Sequence, residues 1–196
     1  FNGDWDKIIV REVANKEFLN LEGLSIKDIA KQNNVNPLDW LLNHSLNEGG
    51  MDTLFIAMLL NSDEEAVGRL LRHPRSNITL SDAGAHLTFF NDAGYGLYLL
   101  EKWVREKNLM SKEKAIYNLT GKQADIYRID QRGRLVPGQY ADMMLIDFDK
   151  VGVSKTYRVN DLPGGSSRLN IDGHGIHSVW INGEKVFSEN SIINKK

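Results

Sequence analysis

Apolar, strand-like runs alternate with amphipathic helical segments through the first two thirds of this 196-residue sequence. The strand candidates are residues 7–13, 53–60 and 78–80, and the helix candidates are residues 24–33, 36–46, 62–72, 97–107 and 111–119. Such alternation is typical of parallel sheets whose strands are joined by helices. It predicts an α/β fold with a parallel sheet or barrel.

Helix-capping residues support these helix assignments. Ser25 and Ser111 stand where a side-chain oxygen accepts from the first turn, and Asn36 is followed by Pro37, which lacks the N–H that a first helical position leaves unpaired. The run Ser62–Glu65 matches a capping box ahead of a helix that ends before Pro74. Each cap predicts a helix start.

The character of the sequence changes after Gly121, where turn signals become frequent. Residues 142–148 form a further strand candidate, and residues 178–187 predict a β-hairpin with Asn182-Gly183 as its two-residue turn. We therefore expect two parts, an α/β part at residues 1–129 and a small β part at residues 130–196.

Asp82 follows the strand candidate Ile78–Leu80 directly, and small residues come after it. In parallel α/β folds the carboxyl ends of strands carry the chemistry, because side chains there are held by rigid backbone at the mouth of the site. The alternative is an aspartate that only caps the following turn. From the residues alone, both interpretations stay open.

Composition narrows the class of partner. A formal net charge of −2 gives no reason to expect nucleic acid or an anionic membrane surface as a partner, and no apolar run reaches the length of a membrane span. The chain contains no cysteine, so neither disulfides nor thiolate metal sites form within it. We expect a cytoplasmic protein, since a reducing compartment suits such a chain.

Three stretches together resemble the amidohydrolase superfamily. They are SDAGAH at residues 81–86, the helix and exit segment LYLLEKWVRE…RGRLVPGQYADMMLIDFD at residues 97–149, and IHSVWINGEKVF at residues 176–187. The first of these and the run DLPGGSSRL at residues 161–169 narrow the resemblance to the D-aminoacylase (N-acyl-D-amino-acid deacylase) group.

The resemblance implies the C-terminal part of a metal-dependent (β/α)₈ TIM barrel, followed by part of a small β-sandwich. It implies one or two divalent metals, zinc first among them, at the barrel mouth. It also implies that Asp82 ends the eighth strand, takes a proton from metal-bound water, gives it to the departing amine, and is itself a possible metal ligand.

The remaining metal ligands have no counterpart in this chain. Its five histidines are His44, His73, His86, His174 and His177, and none forms a His-x-His pair. A zinc site needs three or four ligands, and a (β/α)₈ barrel takes about 250 residues. Because the sequence also begins at Phe1, we expect the other ligands to lie in an N-terminal portion outside it.

Two further residues are candidates for substrate binding. His86, four residues after Asp82, would position Asp82 or contact substrate, or else it only packs in the loop. Arg168 follows the flexible Pro163-Gly164-Gly165 segment and would hold a substrate carboxylate bidentately, or else it is a surface arginine after a turn.

The predicted function is hydrolysis of the linear amide bond of a small N-acyl-D-amino acid by the longer enzyme. One alternative is a cyclic-amide hydrolase of the dihydropyrimidinase or hydantoinase type, because the exit segment is shared across the superfamily. The other is that the isolated chain is an inactive structural or binding module. Strands without barrel neighbours would leave apolar edges, so we expect a homo-oligomer or association with the missing N-terminal portion.

Overall fold

The computed structural model describes residues 3–48, 50–188 and 191–193. The chain divides into two compact units, Phe1–Val67 and Gly68–Lys196. The boundary falls inside the helix Glu64–Arg72, and the expected boundary between residues 129 and 130 stays a prediction.

Two strands and two complete α-helices lie among the described residues of the first unit. They are β1 (Ile8–Glu12), α1 (Ile26–Gln32), α2 (Pro37–Asn43) and β2 (Leu54–Ala57), with short 3₁₀ segments at Trp5–Lys7 and Lys16–Leu21. Its core is built on Val10, Ile26 and Ile29, which are fully buried. These three apolar side chains join one strand to one helix face, as the helical spacing of the isoleucines predicts.

The predicted caps of this unit are confirmed. Ser25 Oγ accepts from the amide of Asp28 at 3.0 Å, and Asn36 Oδ1 accepts from the amide of Leu38 at 2.9 Å. Pro37 occupies the first turn of α2, which continues into a π-helical segment, His44–Glu48. Local chemistry therefore determines where both helices start.

Strand β2 corrects the expectation of a parallel sheet. It pairs antiparallel with β1, with Ile8 opposite Ala57 and Ile9 opposite Ile56. Ile56 is 42% exposed, so β2 is not covered on both faces. Among the described residues every strand pair is antiparallel.

His44 directly follows α2 and begins the π-helical segment. It is 2% exposed, and its ring stacks on Trp40 with 4.7 Å between ring centroids. Phe18 meets the same ring edge-on at 4.9 Å. The imidazole is part of an aromatic cluster within the first unit.

Helix α3 (Glu64–Arg72) ends before Pro74, as predicted. Its cap is Asp63, whose Oδ1 accepts from the amide of Ala66 at 3.0 Å, and this corrects the capping box centred on Ser62. The aspartate lies one residue closer to the helix and presents a charged acceptor to its positive end.

Three further α-helices and one π-helix lie in the second unit. They are α4 (Tyr95–Tyr98), which continues as a π-helix at Leu99–Glu106, then α5 (Lys112–Leu119) and α6 (Gly121–Tyr127). The core contains Leu99, Leu100, Val104, Ala115 and Val151. The predicted amphipathic helix at residues 97–107 is confirmed, and so is the Ser111 cap of α5, where Oγ accepts from Lys114 N at 3.2 Å.

Helix α6 was not predicted. It starts at Gly121, and Thr120, the residue before it, makes no side-chain cap. The Thr120 hydroxyl instead donates to the carbonyl of Ile116, in the preceding helix. A helix that opens on glycine without a cap lacks the sequence signals by which helices are recognised.

Eight short strands complete the described part of the second unit. They are β3 (Met143–Ile146), β4 (Gly152–Val153), β5 (Tyr157–Val159), β6 (Arg168–Asn170), β7 (Gly173–His174), β8 (Ile176–Ile181), β9 (Glu184–Ser188) and β10 (Ser191–Ile192). One four-stranded antiparallel sheet has the order β10-β9-β8-β3, while β4 pairs with β7 and β5 with β6.

The predicted hairpin is β8–β9. Val179 lies opposite Phe187, and Asn182 and Gly183 have φ of 53° and 79°. Two positive φ values in a two-residue loop are those of a type I′ turn, whose twist matches the flanking strands. The β character of the C-terminal part is confirmed, while its place in a β-sandwich, like that of the first part in a barrel, stays a prediction.

None of the helices in the described part of the chain is long and apolar enough to cross a membrane.

Candidate functional site

The segment around Asp82 is a loop and not the end of a strand. Residues 76–82 have no regular secondary structure, which corrects the strand predicted at Ile78–Leu80. Leu80 is 80% exposed, so the apolar run is not buried as a sheet strand would be. A strand needs a hydrogen-bonded neighbour, and the described residues offer none here.

Asp82 itself has φ of 52° and is exposed. Ser81 Oγ accepts from the amide of Ala83 at 3.2 Å, and the carbonyl of Asp82 accepts from Ala85 at 3.1 Å. The serine hydroxyl, and not the aspartate carboxylate, therefore holds the turn. The Asp82 carboxylate makes no hydrogen bond or ion pair with the residues that the structure describes, so it is open to solvent and to ligands.

Asp92 is a nearby acidic residue that the sequence did not single out. Although the residue as a whole is exposed, desolvation of its carboxyl group, followed by the negative charge of Asp82, raises the pKa of Asp92. The two carboxylates therefore lie within electrostatic reach of each other. Ten residues separate them in sequence, and no local pattern links them.

His86 lies on the far side of the same loop. Its φ is 54°, its ring stacks on Phe89 with 5.1 Å between centroids, and its carbonyl accepts from the amides of Phe89 and Phe90. The imidazole is exposed beside an exposed phenylalanine. The ring packs on the loop and stays accessible, and the substrate-binding role of His86 stays a prediction.

Arg168 is at the start of β6 and donates four hydrogen bonds to neighbouring groups. Its Nε and Nη2 donate to the two carboxylate oxygens of Asp161, both at 2.7 Å. Its Nη1 donates to Asn170 Oδ1 at 3.1 Å and to the carbonyl of Leu169 at 3.3 Å. The hydrogen bonds from Arg168 lower the pKa of Asp161, and the same bonds raise the pKa of Arg168.

Strand β6 joins the arginine to the loop that follows His86. The amide of Leu169 donates to the carbonyl of Leu87 at 2.7 Å, and Asn91 Nδ2 donates to the carbonyl of Leu169 at 3.0 Å. Arg158, on the paired strand β5, donates to the carbonyl of Thr88 at 3.1 Å. The β5–β6 hairpin is therefore bound to residues 87–91 by three hydrogen bonds.

Sequence reasoning missed Asn91 and Arg158 for a physical reason. Their partners are 70 or more residues away, and neither residue belongs to a local motif. The closeness of SDAGAH to the DLPGGSSRL run is likewise visible only in the structure. Asp82 and Arg168 thus belong to two segments that are hydrogen-bonded to each other.

The donor set does not fit a complete metal centre. In the described ranges no group of three or more His, Asp or Glu side chains is placed to hold a metal ion. Asp82 offers one carboxylate, while a zinc site takes three or four ligands. Asp82 can therefore contribute a single ligand at most, and a complete centre requires donors from outside the described residues.

Comparison with known proteins identifies the family. A sequence profile of the amidohydrolase family matches residues 20–187. The N-acyl-D-aspartate deacylase of Alcaligenes xylosoxydans xylosoxydans is 32% identical over 127 residues, which are 64% of this chain and 24% of that enzyme. The chain thus spans about a quarter of the length of this relative.

Two solved structures share the fold. A crystal structure of D-aminoacylase, described as defining a novel subset of amidohydrolases, superposes with a TM-score of 0.53 at 22% identity over 96% of this chain and 36% of that one. The N-acyl-D-glutamate deacylase of Bordetella bronchiseptica, complexed with zinc and a phosphonate mimic of the tetrahedral intermediate, has a TM-score of 0.51 at 26% identity, over 94% of this chain and 35% of that enzyme.

The profile match covers most of the chain, and the relatives and structural neighbours agree with it. Both deacylases are named for acidic D-amino acids, which agrees with the resemblance of SDAGAH and DLPGGSSRL to the D-aminoacylase group. The chain belongs to the amidohydrolase family.

Proposed function

We propose that this chain is the C-terminal part of a metal-dependent amidohydrolase that hydrolyses the linear amide bond of N-acyl-D-amino acids. The observation that carries the proposal is the exposed carboxylate of Asp82, which has no hydrogen-bond partner among the described residues. Its loop precedes residues 87–91, which are hydrogen-bonded to β6. Membership of the family and the two deacylase relatives support the reaction class.

Asp82 would move the proton. Hydrolysis of an amide needs a base that takes a proton from the attacking water and an acid that delivers one to the departing nitrogen. A carboxylate that is exposed and bonded to no other group in the described part of the chain is free to do both in turn. The amine is a poor leaving group until it is protonated, so this transfer acts on the difficult step.

Arg168 would recognise the carboxylate of the amino acid. Asp161 already occupies its Nε and Nη2 in the two-point geometry that suits any carboxylate. A substrate carboxylate would therefore exchange with Asp161, which is half exposed and lies two residues before the Pro163–Gly165 segment. Because one carboxylate replaces another, the guanidinium is never left without a partner.

His86 would line the substrate side of the loop through its imidazole, which is exposed and stacked on Phe89. Its left-handed backbone at φ of 54° sets the direction of the loop after Asp82. We assign it substrate contact and no proton transfer.

Zinc, the metal named with the Bordetella deacylase, would supply Lewis-acid activation of the water and the carbonyl. The described residues of this chain do not hold it unaided, because no group of three donors exists there. Its further ligands would come from the rest of the longer polypeptide, with Asp82 as a possible additional ligand.

The test compares the longer polypeptide carrying this sequence with the 196-residue chain alone. With zinc, the longer protein should hydrolyse N-acetyl-D-glutamate or N-acetyl-D-aspartate and not the L-enantiomers, and the isolated chain should do neither. Turnover of dihydrouracil or hydantoin with no turnover of either N-acetyl-D-amino acid would replace the proposal with the cyclic-amide alternative. Full activity and stoichiometric zinc in the isolated chain would contradict the shared metal site.

A further inference from the structure

The turn between β8 and β9 contains a chemically labile dipeptide. Asn182 is followed by Gly183, and the sequence has one other Asn-Gly pair, Asn2-Gly3. An asparagine followed by glycine is prone to deamidation because no side chain on the glycine hinders the approach of its backbone nitrogen. The turn requires these residues for its positive φ values, so stability of the hairpin and chemical lability come together.

The reaction has a definite geometry. The amide nitrogen of Gly183 loses its proton, attacks Cγ of Asn182 and forms a five-membered succinimide, while the side-chain nitrogen leaves as ammonia. Water then opens the ring to aspartate or isoaspartate. The backbone nitrogen must therefore be free of its hydrogen bond, and the Asn182 side chain must rotate towards it.

Both conditions are blocked in the structure. The amide of Gly183 donates to the carbonyl of Ala141 at 2.9 Å. Asn182 Oδ1 accepts from Arg132 Nη2 at 2.7 Å, and the amide of Asn182 donates to Asp142 Oδ1 at 2.8 Å. The turn is thus held at the nucleophilic nitrogen of Gly183, at the reacting side chain of Asn182 and at the backbone nitrogen of Asn182.

Arg132 is itself well fixed. Its Nη1 donates to Asp142, and its guanidinium lies over the ring of Tyr140, 4.2 Å from the centroid. The bonds from Asn182 N and then from Arg132 lower the pKa of Asp142, so that carboxylate stays charged at neutral pH. The arginine therefore presents Nη2 to Asn182 from a position set by two other contacts.

We propose that Asn182 is a deamidation site that Arg132, with the carbonyl of Ala141, protects in the folded protein. Opening the turn exposes it. Conversion of Asn182 to aspartate would place a second carboxylate beside Asp142, and isoaspartate would add a backbone methylene to a two-residue turn. Isoaspartate would weaken the β8–β9 hairpin, whose register depends on the turn, whereas aspartate would keep the acceptor for Arg132.

The test measures conversion of each asparagine to aspartate or isoaspartate during incubation in mildly alkaline buffer. Peptide mass spectrometry detects the conversion as a mass gain, because the side-chain NH2 is replaced by OH. Arg132→Ala should deamidate at Asn182 roughly fivefold faster than wild type, the factor that a typical hydrogen bond contributes to keeping the turn closed. Arg134→Ala is the matched control, because it removes the same charge from a pair with Asp125 and leaves the Asn182 contacts intact. Asn2-Gly3 provides an internal reference whose rate should be the same in all three proteins.

A rate at Asn182 that is unchanged or slower in Arg132→Ala would overturn the proposal, the slower rate meaning that the guanidinium activates Cγ. An equal acceleration in Arg134→Ala would overturn it too, since general destabilisation would then explain the effect. If Arg132→Ala does not fold, wild type serves alone: Asn182 should deamidate at least several-fold faster in urea than in the folded protein. Equal rates in the two conditions would contradict protection.

Discussion

Arg168 and Asp161 form a two-point ion pair in which Nε and Nη2 each lie 2.7 Å from a carboxylate oxygen. The pair closes the loop between β5 and β6, and β6 in turn is bonded to residues 87 and 91 through Leu169. A carboxylate in this position has the geometry expected of a bound substrate carboxylate. The pair therefore links the stability of the hairpin to the proposed recognition of substrate.

The first prediction concerns the pH dependence of this pair. Hydrogen bonds from Arg168 hold the pKa of Asp161 below its usual value, so the stabilisation is present above about pH 4 and is lost as pH falls through the depressed value. Wild type should therefore resist urea better than Asp161→Asn at neutral pH, and the difference should vanish in strong acid. The difference should be small and salt-sensitive, because Asp161 is exposed. A difference in urea resistance between wild type and Asp161→Asn that became larger in acid would contradict this assignment. Asp130→Asn is the control, because it removes a carboxylate outside this ion pair.

The second prediction concerns Gly175, whose φ is 74°. A Cβ there would lie 2.5 Å from both the nitrogen and the Cα of Val151, backbone atoms that cannot rotate away. Gly175→Ala should therefore cost about 3 kcal/mol of unfolding free energy, from backbone strain and overpacking together. Gly138→Ala is the matched control, since its φ is 88° but the space around it is open, and it should cost about 1 kcal/mol. Equal denaturant midpoints for the two variants would show that the close approach has no effect.

The third prediction concerns Asn91, which joins the Asp82 loop to β6. Asn91→Ala removes the donor to the carbonyl of Leu169 and should cost about 1 kcal/mol. Hydrogen exchange should accelerate in residues 87–93 and in β6, because that bond joins the two segments. Asn77→Ala, a change at an exposed position in the same loop region, should leave both patterns as in wild type. If hydrogen exchange is unchanged in Asn91→Ala, the hydrogen bonds from Leu169 to Leu87 and from Arg158 to Thr88 are sufficient to hold residues 87–91 against the β5–β6 hairpin.

The fourth prediction separates Asp82 from its neighbours in the longer polypeptide. Asparagine tolerates the left-handed backbone of this position, so Asp82→Asn should fold normally. It should lower kcat by roughly 10²–10⁴-fold, the usual contribution of general acid–base catalysis, and change KM much less. His86→Ala should lose no more than the lower end of that range. Metal content measured alongside reports whether Asp82 is a ligand, and an Asp82→Asn variant keeping more than about a tenth of wild-type kcat would exclude the proton-transfer role.

The fifth prediction concerns assembly of the isolated chain. Several large apolar side chains are strongly exposed, among them Leu60 at 85%, Leu80 at 80% and Met51 at 75%. Apolar surface of this kind is usually covered by other protein, so the 196-residue chain should self-associate at micromolar concentration. Sedimentation velocity should show dimers or larger species, and a stable monomer over that range would contradict the expectation.

Local signals in the sequence predicted the elements that depend on neighbouring residues. Ser25, Asn36 and Ser111 start helices where their side chains can accept from the first turn, and Asn182-Gly183 makes the hairpin that its φ values require. The amidohydrolase resemblance was equally accessible, because the motifs that carry it are contiguous stretches.

The surroundings of Asp82 show what local sequence signals do not predict. The sequence pointed to this carboxylate and to a strand before it, but the structure has a loop held by Ser81. An apolar run becomes a strand only if a partner strand pairs with it, and that partner can lie far away in the sequence. The candidate residue could be found from the sequence, while its environment could not.

By itself the sequence determined the starts of α1, α2 and α5, the C-terminal hairpin and the family, since each depends on residues close together in the chain. Only the tertiary structure decided that β1 and β2 run antiparallel, that Asp161 occupies Arg168, and that Asn91 ties the Asp82 loop to β6. The physical reason is the range of the interactions. Strand direction and the choice of an ion-pair or hydrogen-bond partner depend on which distant segments the folded chain brings into contact, and no local propensity specifies that.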